Sequence, residues 1–209
     1  MGTNPSSKYI QGINTYMKDH WLKIGGNLHH ERHQNRILYT ASFCRGNTVE
    51  IGSADGTSTQ LIKESMPSCV VSGVEPTDAG YTTAVQKYPA IKFYKAYAEN
   101  LPFHDSAFDT VLLPEVIEHC EDPMVVIKEC WRVACFRFII THPVNIAGQR
   151  NDPTHVRFIT FDQMRKMVSE LEDVFEITHY GLDKTGQIVD DAHKNESKVF
   201  FGITLVEKK

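Results

Sequence analysis

The stretch Thr48-Val49-Glu50-Ile51-Gly52-Ser53-Ala54-Asp55-Gly56-Thr57 decides how this chain is built. Thr48 to Ile51 is a short strand-type run. The glycines after it allow a sharp turn and a close approach of backbone to a ligand, and Thr57 opens a helical run (TSTQLIKESM) with a hydroxyl at its start. A second apolar run, Cys69 to Val74, ends at Glu75. An acid therefore follows the glycine loop at about the 20-residue spacing at which a carboxylate grips a ribose diol. Together the two features indicate a nucleoside-like ligand held over a strand-to-helix turn.

The loop chemistry narrows the nucleoside. A dinucleotide fingerprint, G-x-G-x-x-G, presents backbone N–H groups to a pyrophosphate; here the central glycine position is Ala54, and Asp55 places an acid inside the loop. Phosphate is expected to be repelled there. No G-x-x-x-x-G-K-[ST] run occurs in the chain, so the usual triphosphate loop is excluded as well. A cationic sulfonium is compatible with the same acids.

These residues resemble the S-adenosylmethionine-dependent methyltransferases with a Rossmann-like fold. Glu50 to Gly56 is similar to the glycine motif of that family and Glu75 to its ribose acid. Ala98-Glu99-Asn100-Leu101-Pro102-Phe103 resembles the segment flanking the adenine. Phe108 to Leu113 is similar to the fourth strand, and Pro114 to His119 to the segment after it, near the methyl donor. Two residues depart from the pattern: Ala54 at the central glycine, and Tyr97 where many relatives carry an aspartate for the adenine amine. The resemblance implies S-adenosylmethionine as cofactor, bound by Glu50, Gly52, Ser53, Gly56, Glu75, Pro76, Ala98, Glu99 and Pro114.

The periodicity predicts helices near 6–20 and 27–43, and strands near 47–51, 69–74, 91–95, 108–113 and 135–141. Helices alternate between these strands, which implies a mainly parallel sheet covered on both faces, with ligands at the carboxyl ends of its strands. Val174 to Tyr180 and Lys198 to Val206, joined by a polar loop, read as a C-terminal antiparallel hairpin. The expected fold is thus an α/β Rossmann-like methyltransferase with a seven-stranded sheet. The expected organisation is one domain over 1–209, with an N-terminal helical cap at 1–45 and an α/β core at 46–209.

With 209 residues, 41% hydrophobic and 23% charged, the chain has enough apolar content for one sizeable core. Its start, MGTNPSSKYI, lacks an apolar signal region, and no run approaches the roughly 18 apolar residues of a membrane span. Met1-Gly2 with Ser6 meets the loose myristoylation pattern by chance, since no polybasic patch supports it. Cys44, Cys69, Cys120, Cys130 and Cys135 form no C-x-x-C pair and are odd in number, which fits reduced thiols and a cytoplasmic location. The net charge of −4, with basic residues scattered, argues against long nucleic acids as partners.

The run Glu115-Val116-Ile117-Glu118-His119 should open a helix. Residues three and four apart share a helical face, so Glu115 should meet Glu118 and His119 while Val116 and Ile117 turn to the core. Two carboxylates and an imidazole brought together fit a divalent cation, magnesium or similar. His155, after the fifth strand, is the candidate fourth ligand, and His142 near that strand's end is read as a non-ligand. The combined pattern resembles metal-dependent O-methyltransferases, those acting on ubiquinone precursors and those acting on the terminal 2′-hydroxyl of small RNAs. The bland alternative is that Glu118 and His119 merely cap or pair on a helix, and that His155 bonds backbone.

Other features have simpler readings. His29, His30 and His33 do not form H-E-x-x-H and read as a polar helix face near the site entrance. Cys120 reads as a small buried residue, and Tyr9, Tyr16 and Trp21 as packing rather than a lid. No G-x-S-x-G elbow and no motif for amino- or carbon-directed base methylation occurs, which leaves oxygen as the acceptor atom. The expected function is O-methylation of a small hydroxylated acceptor, with His119 or His155 taking its proton. Terminal RNA 2′-O-methylation and a catalytically silent cofactor-binding protein, the latter suggested by Ala54 and Tyr97, are the alternatives.

Overall fold

The computed structural model describes residues 5–24, 28–144, 155–192 and 195–209. Met1-Gly2 and the Asp152–Thr154 approach to His155 lie outside them. The parallel strands are β1 (Asn47–Ile51), β2 (Val70–Val74), β3 (Lys92–Tyr94), β4 (Phe108–Pro114) and β5 (Ala134–Pro143). They are followed by β6 (Val174–Leu182), β7 (Ile188–Val189) and β8 (Phe201–Lys208). The sheet order is β3-β2-β1-β4-β5-β8-β6-β7. β8 runs antiparallel between β5 and β6, so the expected hairpin is present with β8 inserted into the sheet. The expected seven strands become eight because the hairpin loop pairs Ile188 and Val189 with Leu182 and Gly181 at the outer edge.

Strand alternation divides the core. In β4, Val111 and Leu113 point to one face with Phe138 and Ile140 of β5, against Val126, Ile127 and Cys130. Leu112 and Ile139 point to the other, against Ile37, Ala41 and Ile62. Both faces are therefore apolar and both must be covered by helices. On the described residues these are α1 (Ser7–Tyr16), α2 (Glu31–Ala41), α3 (Thr57–Ser65), α4 (Asp78–Lys87), α5 (Pro123–Val133) and α6 (Phe161–Val168). A π-helical turn, Met17–Trp21, and a short turn, Leu22–Ile24, extend α1. No helix among the described residues is long and apolar enough to cross a membrane.

The expected helix at Glu115 is replaced by a single 3₁₀ turn, Ile117–His119. Two local features cause this. Glu115 takes a left-handed backbone (φ 55°) as β4 ends, which no helix interior tolerates. The better start lies beyond it, where the Asp122 carboxylate accepts from the Met124 N–H at 2.9 Å and Pro123 occupies the first turn.

At the other side of the crevice, Gly52 (φ 83°) turns the chain out of β1, and a Cβ added there would lie 2.3 Å from Val116 Cγ2. Gly52→Ala is expected to cost about 2 kcal/mol or more, combining backbone strain and overpacking. A urea melt with an unchanged midpoint would contradict that packing role.

Candidate active site

The strand order reverses between β1 and β4, and a cavity of about 350 Å³ opens at the carboxyl ends of the strands there. Its floor holds Glu50, Gly52, Ser53 and Ala54 from the glycine loop, with Glu75, Pro76 and Thr77 after β2. Tyr97, Ala98 and Glu99 form one flank; Pro114, Glu115, Glu118 and His119 form another. Of the nine residues expected at the cofactor, Gly56 is absent from the lining. With φ 80° it serves the turn, and a Cβ added there would press on Phe93, Tyr88 and Ala84 at 2.8 to 3.1 Å.

The loop's N–H groups are largely engaged by the protein itself. The N–H groups of Gly52 and Ser53 donate to Val74 O, that of Gly56 to Ser53 O, and that of Ala54 to Glu75 Oε2 at 3.0 Å. That of Thr57 donates to Asp55 Oδ1. Five N–H groups of the loop are thereby engaged within the protein instead of being presented together to a pyrophosphate. Asp55 does not act through bare charge, because Lys87 Nζ lies 2.7 Å from its Oδ2.

Glu75 is 3% exposed. Besides the Ala54 bond, its Oε1 accepts from the Thr77 N–H at 2.9 Å and from the Thr77 hydroxyl. Burial pushes its pKa up to about 7, against the pull of those hydrogen bonds. Glu50, fully buried and bonded by Thr59 Oγ1 at 2.5 Å, is likewise raised to about 7 by burial.

The sign of the linkage follows. Each carboxylate's folded pKa lies above the ordinary value of 4.5. Their stabilising contribution is whole below about 4.5 and is lost as pH rises through about 7. A ribose diol donates to the ionised form, so the affinity for S-adenosylhomocysteine is expected to rise from pH 6 to 8 and then level off. Calorimetry on Glu75→Gln should show a much flatter profile; an equally steep one would remove Glu75 from that role.

Arg36 is a residue that motif reading overlooked. It is 6% exposed and lines the cavity from α2. Its Nη1 donates to Thr141 Oγ1 at 3.0 Å, its guanidinium lies 5.3 Å from the centre of the Phe201 ring, and its Nε has no hydrogen-bond partner. The only signal in the sequence was its position among the buried residues His33, Ile37, Thr40 and Ala41 of α2. Thr141 in turn donates to Glu115 Oε1 at 2.8 Å. Burial raises the Glu115 pKa, and the nearby Arg36 opposes that rise.

Glu118, His119 and His155 converge, with one ligand atom from each lying within 4.8 Å of the others. Glu118 Oε1 is 4.0 Å from His119 Nε2 and 3.9 Å from His155 Nε2, and Glu118 is 1% exposed. Glu115 is not in this group: without the expected helix its carboxylate turns to Thr141. His142 is fully buried beside Gly202 and Phe161, its pKa pushed down to about 4 by burial. Cys120 is buried, its thiol donating to Val116 O.

Tyr9, Tyr16 and Trp21 face the cavity, while α1 has no buried residue. They form its roof, where a core-packing role was expected. Two hydrogen bonds pin that roof at its start, from the Ser6 N–H and hydroxyl to the Glu121 carboxylate at 2.8 and 2.5 Å. His30 and His33 line the cavity, as a polar face near its entrance would.

Residues 49–135 match the family model described as a methyltransferase domain. No curated protein matches the sequence. Among solved structures, a SAM-dependent methyltransferase from Thermotoga maritima, described as a possible histamine N-methyltransferase, is similar at 18% identity and TM-score 0.70, covering 96% of this chain and 98% of that one. Geranyl diphosphate C-methyltransferase from Streptomyces coelicolor A3(2), solved with Mg2+, geranyl diphosphate and S-adenosyl-L-homocysteine, is similar at 12% identity and TM-score 0.73 (99% and 100% covered). The cyclase SpnF is similar at 14% identity and TM-score 0.72 (100% and 97% covered). These likenesses are of fold, and their named chemistries differ, so the fold leaves the acceptor open. The methyltransferase-domain match over 49–135 lies within a chain whose fold, from end to end, is that of the Rossmann-like methyltransferases.

Proposed function

We propose that the chain methylates a hydroxyl oxygen of a small acceptor, using Glu118, His119 and His155 at the acceptor end of the cavity. The observation that carries this reading is the convergence of one carboxylate and two imidazoles on the cavity wall. The 1–45 cap and the 46–209 core are taken as one catalytic domain, since residues of both line the cavity. The polar lining suits a polar cofactor: Ser53 Oγ, Trp21 Nε1 and Arg36 Nε are buried there with no partner of their own.

When bound, S-adenosylmethionine supplies an electrophilic methyl group to the acceptor oxygen as the carbon–sulfur bond breaks. Glu75 holds the ribose diol, with Pro76 beside it; Ala98 and Glu99 flank the adenine. Glu50, Gly52, Ser53 and Pro114 frame the methionine end, and Arg36 meets its carboxylate. His119 or His155 takes the proton that the hydroxyl releases. Alignment by the rigid strand ends contributes the remainder.

The donor set also fits a divalent cation. Separations of 3.9 and 4.0 Å, within a set spread over at most 4.8 Å, exceed the roughly 3.4 Å between ligand atoms on a tetrahedral ion, so the three side chains would draw in by side-chain rotation to grip one. Two imidazoles and one carboxylate favour zinc, manganese or iron over magnesium, which prefers oxygen ligands. Such a cation, held by Glu118, His119 and His155, would lower the acceptor hydroxyl's pKa.

The test is transfer of labelled methyl to a panel of phenols, sugars, amines and short RNA, with and without chelator. O-methyl products alone are expected. Methylation confined to amines would refute the oxygen reading, and methylation of the RNA alone would replace the small acceptor with a terminal ribose.

A further inference from the structure

Arg36 has a twin one turn toward the start of α2. Arg32 also lines the cavity, its guanidinium lying 5.4 Å from the centre of the Phe200 ring as that of Arg36 lies over Phe201. Its Nε is buried without a hydrogen-bond partner, and no carboxylate among the described residues lies within ion-pair distance of it. A guanidinium held against a ring with a buried N–H unused is preorganised for an oxyanion.

The two arginines do not face the same part of the site. Arg36 is deep, bonded to Thr141 and electrostatically coupled to Glu50 of the glycine loop. Arg32 borders both the main cavity and an adjoining recess formed with His30, Glu31, Lys184, Thr185 and Gln187. Lys184 adds a second cation to that recess, against one carboxylate, Glu31. His33, between the arginines, is held neutral by burial, its pKa near 3. The α2 wall is therefore cationic through its arginines; Glu115 offsets Arg36 through Thr141, and Glu118 lines the same cavity beside His119 and His155.

We propose that Arg32 binds an anionic group of the acceptor, a carboxylate or a phosphate, and so sets both substrate class and orientation. The proposal rests on the reading of the cavity as a cofactor-plus-acceptor site. An acceptor so held directs its anion to Arg32 and its hydroxyl away, toward the wall of Glu118, His119 and His155, because the acids there repel the anion. Neutral phenols and sugars then become poor substrates beside their acidic counterparts.

The experiment uses the full chain saturated with S-adenosylhomocysteine, titrated by calorimetry at low salt with benzoate, phenyl phosphate and neutral benzyl alcohol. At least one anion is expected to bind about tenfold or more tightly than benzyl alcohol, as a charge-assisted bond would give. Whichever anion gains more identifies the source of the oxyanion. Arg32→Ala should abolish the preference while leaving the affinity for S-adenosylhomocysteine within about twofold, and Arg32→Lys should keep part of it. Should Arg32→Ala fail to fold, Arg32→Gln, which keeps a polar stem near Phe200, must show the same loss.

Equal binding of all three probes, or a preference that survives both Arg32→Ala and Arg32→Gln, would overturn the proposal. An Arg32-dependent preference in a protein that methylates no hydroxyl would keep the subsite and refute the oxygen reading. Efficient methylation of neutral hydroxyl compounds, without preference for acids, would do the reverse.

Discussion

Glu75→Ala is expected to weaken S-adenosylmethionine binding by roughly 2 to 4 kcal/mol, a loss on the order of 30- to 1000-fold in affinity. The magnitude has two sources. In the proposed cofactor pose the carboxylate would supply charge-assisted acceptors for a ribose diol. In the fold it ties the end of β2 to the glycine loop, through Ala54 N–H at 3.0 Å, and to the start of α4, through Thr77 N–H at 2.9 Å. Alanine removes both, so the loop loses its register as well as its ligand contact. Glu75→Gln keeps acceptor capacity for the loop while losing the charge, and should fall between the two. Calorimetric titration separates them, and wild-type affinity in Glu75→Ala would remove the ribose assignment.

The second large effect concerns Glu118, His119 and His155. Chelation is expected to reduce turnover by about 100-fold or more while leaving cofactor affinity nearly intact, because the group lies at the acceptor end. His155→Ala should reproduce the loss and, under the proposed cation reading, lower the divalent-metal content measured by elemental analysis. Glu115→Gln, with its carboxylate turned to Thr141, should leave the metal content unchanged. His142→Ala is a poor control because it would hollow the core between β5 and β8. His104, exposed and bonded to the Asp105 carbonyl, is the better one. Full turnover in a demetallated protein would show that the three residues serve as proton acceptor and structure alone.

Much of the fold was legible because its determinants are local. The runs at 70–74 and 108–114 are dense in apolar residues, and 47–51 places Val49 and Ile51 in alternation before the glycine turn, so each is recognisable without reference to its neighbours. The hairpin was readable in kind but not in placement. The insertion of β8 between β5 and β6 depends on pairing with a strand about 60 residues earlier in the chain, and the edge strand β7 is only Ile188 and Val189. Neither leaves a mark in a short window.

The site was legible wherever a motif sits at a strand end, and misread wherever a side chain had a choice. Glu75 and the glycine loop could hardly be elsewhere, since β1 and β2 pair in register and deliver both to one crevice. Glu115 could have joined Glu118 on a helix. The backbone turn at φ 55° and the competing start at Asp122-Pro123 sent it to Thr141 and the field of Arg36. His155 reached Glu118 across 37 residues, a proximity that the resemblance suggested and that no spacing rule could derive.

From residue order alone came the parallel sheet, the crevice at its carboxyl edge and the placing of Glu75 beside the glycine loop, because strand periodicity, glycine turns and short-range spacing are properties of contiguous chain. Only the tertiary structure decided that Asp55 is paired with Lys87, that Gly56 serves the turn and not the cavity, and that Arg32 and Arg36 face the ligand space. Those outcomes depend on which elements pack together. A buried charge is placed by the partners that packing brings within reach, and those partners come from distant parts of the chain.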